Sequence, residues 1–193
     1  MRLLRYLRRN IKDRIYDLAG VYSHLSSEAY ISEIESRGCR VGEGTEFFGE
    51  NNVDLGYAHL ITIWQNCVIT DKVRILAHAR DDLILSRIFE NAPDQRKRGA
   101  VDIGDNVFLG ERSIILPDVE IGDNVIIGAG SIVTSDIPSR SVAAGVPCQV
   151  KCSLKEYRDN RVLTEGSEIK MAIRCCKNRN VSVSEELTNY TDS

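Results

Sequence analysis

VDIGDNVFLGERSIILPDVEIGDNVIIGAGSIV, residues 101–133, decides the fold once it is divided into sixes. Ile103, Leu109, Ile115, Ile121, Ile127 and Val133 form an unbroken aliphatic column. Two places earlier stand Val101, Val107, Ser113, Val119, Val125 and Ser131, all small or β-branched. A period of six suits neither a helix nor a plain strand and calls for a repeat architecture. Residues two apart share one face of a strand, so each pair sends two side chains inward. The Gly, Asp and Asn that follow each pair are expected to turn the chain, since Gly is free at positive φ and Asn and Asp tolerate it. Three such sides would close one turn in about eighteen residues, with turns stacked at roughly 4.8 Å. Each turn buries its apolar corner only against its neighbours, so stability runs along one axis.

The stretch resembles the hexapeptide-repeat acyltransferases, and the continuation GAGSIVTSDIPSRSVAAGVPCQVK, residues 128–151, is similar to the ending of galactoside, xenobiotic and polysaccharide O-acetyltransferases. The resemblance spans about residues 39–152 and implies an all-β solenoid, a left-handed parallel β-helix. Outward from its core the sixes are less regular. Val41, Phe47 and Val53 make one turn, register slips between Leu55 and Ile61, and Ile63, Ile69 and Ile75 make the next. Residues 79–100 break the repeat, and such excursions in repeat folds lie on the binding face. Residues 1–20 space Leu4, Leu7, Ile11, Ile15 and Leu18 as an amphipathic helix with Arg and Lys on its other faces. It is expected to cap the open first turn of the coil, or else to lie on a membrane surface. The domain reading is therefore an N-terminal helical cap at 1–38, a coil at 39–152 with its excursion at 79–100, and a C-terminal extension at 153–193. That extension has helical character around 167–176 and an irregular, polar end.

Composition narrows the class. The chain has 193 residues and a net charge of −3, which argues against general nucleic-acid affinity. Neither a secretory leader nor a membrane-spanning run is legible. Six cysteines at irregular spacings form no disulfide framework or zinc set, which fits a reducing cytoplasm. Cys39 and Cys67 fall in the small-residue column and read as buried thiols.

Only three histidines are available: His24, His59 and His78. His78 ends a coil strand at the mouth of the excursion. The resemblance makes it the general base that takes the acceptor hydroxyl's proton as the oxygen attacks the thioester of acetyl-coenzyme A. An imidazole suits that task because it titrates near neutrality. Asp81 or Asp82 would orient the ring or bind acceptor, and His59, one coil earlier, would stand near the same cleft. No close histidine pair of the kind used by γ-type carbonic anhydrases exists, so no metal is expected.

The resemblance also implies a homotrimer with coenzyme A in the groove between neighbouring coils. It would lie against Phe108, Gly110, Ala129, Gly130, Thr134 and Ser135, with Lys151 near its phosphates. Phe108 replaces a frequent tryptophan, Glu111 a small polar residue, and Ser135 a basic one. The expectation is a cytoplasmic O-acetyltransferase acting on a sugar hydroxyl of a surface polysaccharide or its precursor. N-acetylation of an amino sugar and a non-catalytic β-helix assembly module are the alternatives.

Overall fold

A computed structural model describes residues 27–90 and 97–161; the expected helices at 1–20 and 167–176 lie outside them. Helix α1 (Ser27–Ser36) leads into β1 (Arg40–Val41), β2 (Glu46–Phe47) and β3 (Asn52–Val53). A 3-10 turn (Ala58–Leu60) precedes β4 (Ile61–Ile63), β5 (Val68–Ile69) and β6 (Arg74–Ile75). Helix α2 (Asp82–Ile88) occupies the excursion. The coil resumes with β7 (Val101–Ile103), β8 (Phe108–Leu109), β9 (Ile114–Ile115), β10 (Val119–Ile121), β11 (Ile126–Ile127) and β12 (Ile132–Val133). Strands β13 (Ser141–Ala144) and β14 (Gln149–Ser153) follow.

The strands enter three sheets in rotation. The first side holds β1, β4, β7 and β10; the second β2, β5, β8, β11, β13 and β14; the third β3, β6, β9 and β12. Neighbours among β1–β12 pair in parallel, as does β11 with β13. Each aliphatic column residue lies at the inward position of its strand, and from Phe47 to Val133 the whole column is buried. The small-residue column is buried beside it, from Cys39 through Cys67, Val107 and Val125 to Ser131. Each buried Val, Leu or Ile contributes roughly 1.5–3 kcal/mol, which offsets the ordering of strands only two or three residues long.

The irregularities of the repeat now have a size. Hydrogen-bonded partners in adjacent turns are separated by 18 residues at Asp105 and Asp123. The separation is 22 at Cys67 and Thr45, because the first turn also carries the 3-10 segment. Across the excursion it reaches 40, yet Ile61 still pairs with Val101 and Ile63 with Ile103. The excursion leaves and rejoins the coil without disturbing its register.

One expectation needs correcting. The left-handed residues are not the glycines after the aliphatic column. They lie immediately before the small column, at Asn66, Lys72, Asn106, Arg112, Asp118 and Asn124, with φ of 56–69°. The glycines after the column are required by proximity instead. A Cβ on Gly110 would lie 2.5 Å from the Ala129 nitrogen, and one on Gly104 2.9 Å from the Asp123 nitrogen. The aspartates that follow tie one corner to the next. Asp105 Oδ1 accepts from the Gln65 N–H at 3.1 Å, and Asp123 Oδ1 from the Asp105 N–H at 2.9 Å.

The first turn would expose strand edges, and α1 covers them. Ser27 Oγ accepts from the Phe47 N–H at 2.9 Å, and Tyr30 Oη from the Val53 N–H at 3.0 Å. Ile34 is fully buried against the core. A second compact unit begins at Ser153. Residues 154–161 form α3, which starts with a capping box between Ser153 and Glu156. The Ser153 N–H and the Ser153 hydroxyl both donate to the exposed Glu156 carboxylate, at 2.8 and 2.7 Å, and hold it below its ordinary value. No helix among the described residues is long and apolar enough to cross a membrane.

Candidate active site

His78 stands where the third side ends and the excursion begins. The excursion's two ends meet there as an antiparallel pair. His78 bridges Arg98, the Ala79 N–H donates to the Lys97 carbonyl at 2.9 Å, and the Gly99 N–H donates to the Ala77 carbonyl at 3.1 Å. This clamp fixes the backbone that carries the imidazole.

The ring itself is fixed by Asp54, which leaves the third side one coil earlier. Its Oδ2 contacts His78 Nδ1 and accepts the Ala77 N–H at 3.2 Å. Asp54 is 8% exposed, while the His78 side chain keeps 27% of its surface open. A buried carboxylate with two such partners favours the Nδ1–H tautomer and leaves Nε2 as the nitrogen able to accept a proton. Tyr57 adds a wall: its ring centroid lies 4.7 Å from that of His78 and 6.2 Å from that of His59. The Arg98 guanidinium lies over the Tyr57 ring, 5.3 Å from its centroid.

The carboxylate on the ring is thus Asp54, where the sequence had pointed to Asp81 or Asp82. Asp81 is exposed at the start of α2, and its carbonyl accepts from the Ile84 and Leu85 N–H groups. Asp82 opens the helix with its Oδ1 buried and without a hydrogen-bond partner among the described residues. His59, in the 3-10 turn, reaches this cluster through Tyr57. Asp54, Tyr57 and Arg98 were missed. The legible signal was the slip after Leu55: four extra residues in that turn put Asp54 beside Leu76 and hence next to His78.

The expected coenzyme positions divide between two edges of the coil. Gly110 sits directly on Ala129, and the Gly130 N–H donates to the Glu111 carbonyl at 2.8 Å, all at the edge between the second and third sides. Gly130 has φ +67° and open space around it. Lys151, on β14, is near the same edge, its Nζ 3.8 Å from a Cβ built on Gly145. Phe108 is exposed on the outer face of the second side, paired with Val68 and Ile126. Thr134 and Ser135 leave the third side at the edge that also carries His78, beyond the end of β12.

The described residues thus form a three-sided parallel coil with a carboxylate-held histidine at one edge. The family described as bacterial transferase hexapeptide (six repeats) matches residues 100–135. WbbJ of Escherichia coli (strain K12), provisionally named a lipopolysaccharide biosynthesis O-acetyl transferase, is 33% identical over 148 residues, covering 72% of this chain and 74% of WbbJ. The galactoside O-acetyltransferase of Lactococcus lactis subsp. lactis (strain IL1403) is 47% identical over 83 residues, 40% of each chain. A solved maltose O-acetyltransferase from Clostridium difficile 630 superimposes with a TM-score of 0.52 at 27% identity, over 75% of this chain and 85% of that one. The chain belongs to the hexapeptide-repeat transferases, and it is an acyltransferase.

Proposed function

We propose that this chain transfers an acetyl group from acetyl-coenzyme A to a sugar hydroxyl, by direct attack with His78 as general base. The observation that carries the reading is the His78–Asp54 pair at the mouth of the excursion. Nε2 takes the proton from the acceptor hydroxyl as its oxygen attacks the thioester carbonyl. The tetrahedral intermediate then collapses, the carbon–sulfur bond breaks, and the imidazolium returns the proton to the departing thiolate. Asp54 acts through His78: it holds the ring and stabilises its charged form while that form exists. The three relatives described above are named as O-acetyltransferases, of lipopolysaccharide biosynthesis, galactoside and maltose, which supports a sugar acceptor in a surface polysaccharide or its precursor. The donor rests on the family resemblance.

The same reading takes the coil as left-handed and the working unit as a homotrimer in the cytoplasm. Gly110, Ala129, Gly130 and Lys151 belong to one edge and His78 to another, so a single coil does not present both sets to one groove. A neighbouring copy that brings the second edge of one coil against the third-side edge of the next would unite them. Residues 1–38 then serve as the cap and 153–193 as an extension.

The test is thiol release from acetyl-coenzyme A across a panel of neutral and amino sugars, with coenzyme binding followed by thermal shift. His78→Ala is expected to keep the coenzyme-induced shift and lose about 10²–10⁴-fold in kcat. Asp54→Asn is expected to lower kcat less, with KM within a few-fold of wild type. Equal turnover in wild type and His78→Ala would remove the histidine from the mechanism. Transfer confined to amino groups would make the enzyme an N-acetyltransferase.

A further inference from the structure

Arg98 has no part in the mechanism just given, yet it is among the residues most closely built into the site. Its backbone is bridged to that of His78, so its Cα cannot drift from the imidazole. Its side chain lies on the Tyr57 ring at a distance typical of a cation–π contact. Among the described residues, no carboxylate comes within ion-pair distance of it. Asp54, the carboxylate of the site, is engaged with His78 and the Ala77 N–H. An arginine held by an aromatic face keeps its N–H edge free, and that planar fork matches a carboxylate or phosphate in a bidentate way.

We propose that Arg98 selects the acceptor, and that the acceptor carries an anionic group about one sugar ring from the hydroxyl that is acetylated. This deepens the sugar-acceptor reading and rests on it. The distance argument decides which substrate owns the anion. The centroid separations of 4.7 Å from imidazole to phenol ring and 5.3 Å from phenol ring to guanidinium cap the His78–Arg98 distance at about 10 Å. A thioester placed at His78 keeps the coenzyme's diphosphate at the far end of the pantetheine arm. That arm is about as long as an extended peptide of four residues, roughly 14 Å. Along an extended arm the donor's phosphates lie farther from His78 than Arg98 does, which favours an anion on the acceptor. Two acidic sugars fit: a uronate, through its carboxylate, and a sugar phosphate.

The experiment compares methyl glucoside, methyl glucuronide and glucose 6-phosphate in two assays on the full-length protein. One is thiol release with acetyl-coenzyme A; the other is direct titration of each sugar by calorimetry, which does not depend on turnover. Wild type is expected to favour at least one acidic sugar over methyl glucoside by about tenfold or more in both assays. Arg98→Gln is expected to collapse that ratio to within about twofold. Arg98→Lys is expected to retain more of the preference for the phosphate than for the carboxylate, because an ammonium lacks the fork. Preference for the glucuronide or for the phosphate identifies which anion is read. Equal binding of acidic and neutral sugars by wild type, or an acidic preference that survives Arg98→Gln, overturns the proposal. Acid-selective binding that depends on Arg98 but is never followed by acetyl transfer upholds it and instead sinks the transferase reading of this acceptor.

Discussion

Arg112 holds a φ of +58°, a conformation in which a side chain crowds the following carbonyl. Asn66, Asn106 and Asn124 occupy equivalent corners with the residue type that tolerates it best. Among the described residues Arg112 has one ion pair, with Glu111 at 2.8 Å, both largely exposed, and pairs of that kind contribute little. Arg112→Asn should therefore stabilise the protein by about 0.5–1 kcal/mol, less than the full left-handed penalty because some strain remains. A rise in the urea midpoint with unchanged slope would register it. Asp71 shows the opposite case, a side chain whose charge the corner uses. Burial pulls its carboxyl upward, but the Glu50 N–H donating at 2.7 Å, together with Lys72 and Arg112, more than reverses this and holds it below its ordinary 3.8. A carboxyl lowered on folding contributes stability above its unfolded value, and the contribution is lost as pH falls through the folded one. Wild type should exceed Asp71→Asn in stability at pH 7, and the gap should close as the medium is taken below about pH 4, measured by denaturant titration at each pH. The buried Cys39 thiol, which donates to the Arg40 carbonyl at 3.8 Å, is shifted the other way. Burial, with the Glu35 charge adding to it, pushes Cys39 up to about 12, so it is expected to stay a thiol at neutral pH.

The elements of this chain are too short to stand alone, and their geometry is set where one coil lies on the next. Gly110 is the clearest case, with backbone atoms of Ile127, Gly128 and Ala129 within 2.8 Å of where its Cβ would be. Gly110→Ala should cost about 2–3 kcal/mol or more, since rigid backbone must move to admit the methyl group. Gly130→Ala should cost less, nearer 1 kcal/mol, because only the left-handed conformation is strained there. Paired thermal melts of the two variants check the order; a larger loss at Gly130 would contradict it. This level also explains what was readable beforehand. The buried columns were legible because each inward residue is decided within its own six. The role of the glycines was misread because the sequence shows which residue is small without showing what lies above it. Asp54 escaped for a related reason: its place beside His78 depends on the exact count of residues inserted after Leu55. The helical content of the excursion, α2, carried no periodic signal over seven residues and was not anticipated.

For the whole molecule, the outer faces say what the isolated chain leaves unfinished. Val68 and Ile126 remain half-buried, with Phe108 exposed between them, on the second side, and Ile114 and Ile132 lie on the third. Flat apolar strips of this kind are normally covered in an assembly. Sedimentation at working concentration should give three copies, and replacing Phe108 and Ile126 together with glutamate should yield slower-sedimenting, inactive protein. A wild-type monomer with full turnover would rule out a site shared between copies. The clamp at Ala77–Ala79 and Lys97–Gly99 has a further consequence. Because the stretch between them enters and leaves through one doorway, and the strands on either side keep step, its content is free to change while the scaffold stays the same. An evolving lineage could exchange that stretch as a cartridge and acquire new acceptors, and so could a protein engineer who grafts a relative's excursion between Ala79 and Lys97.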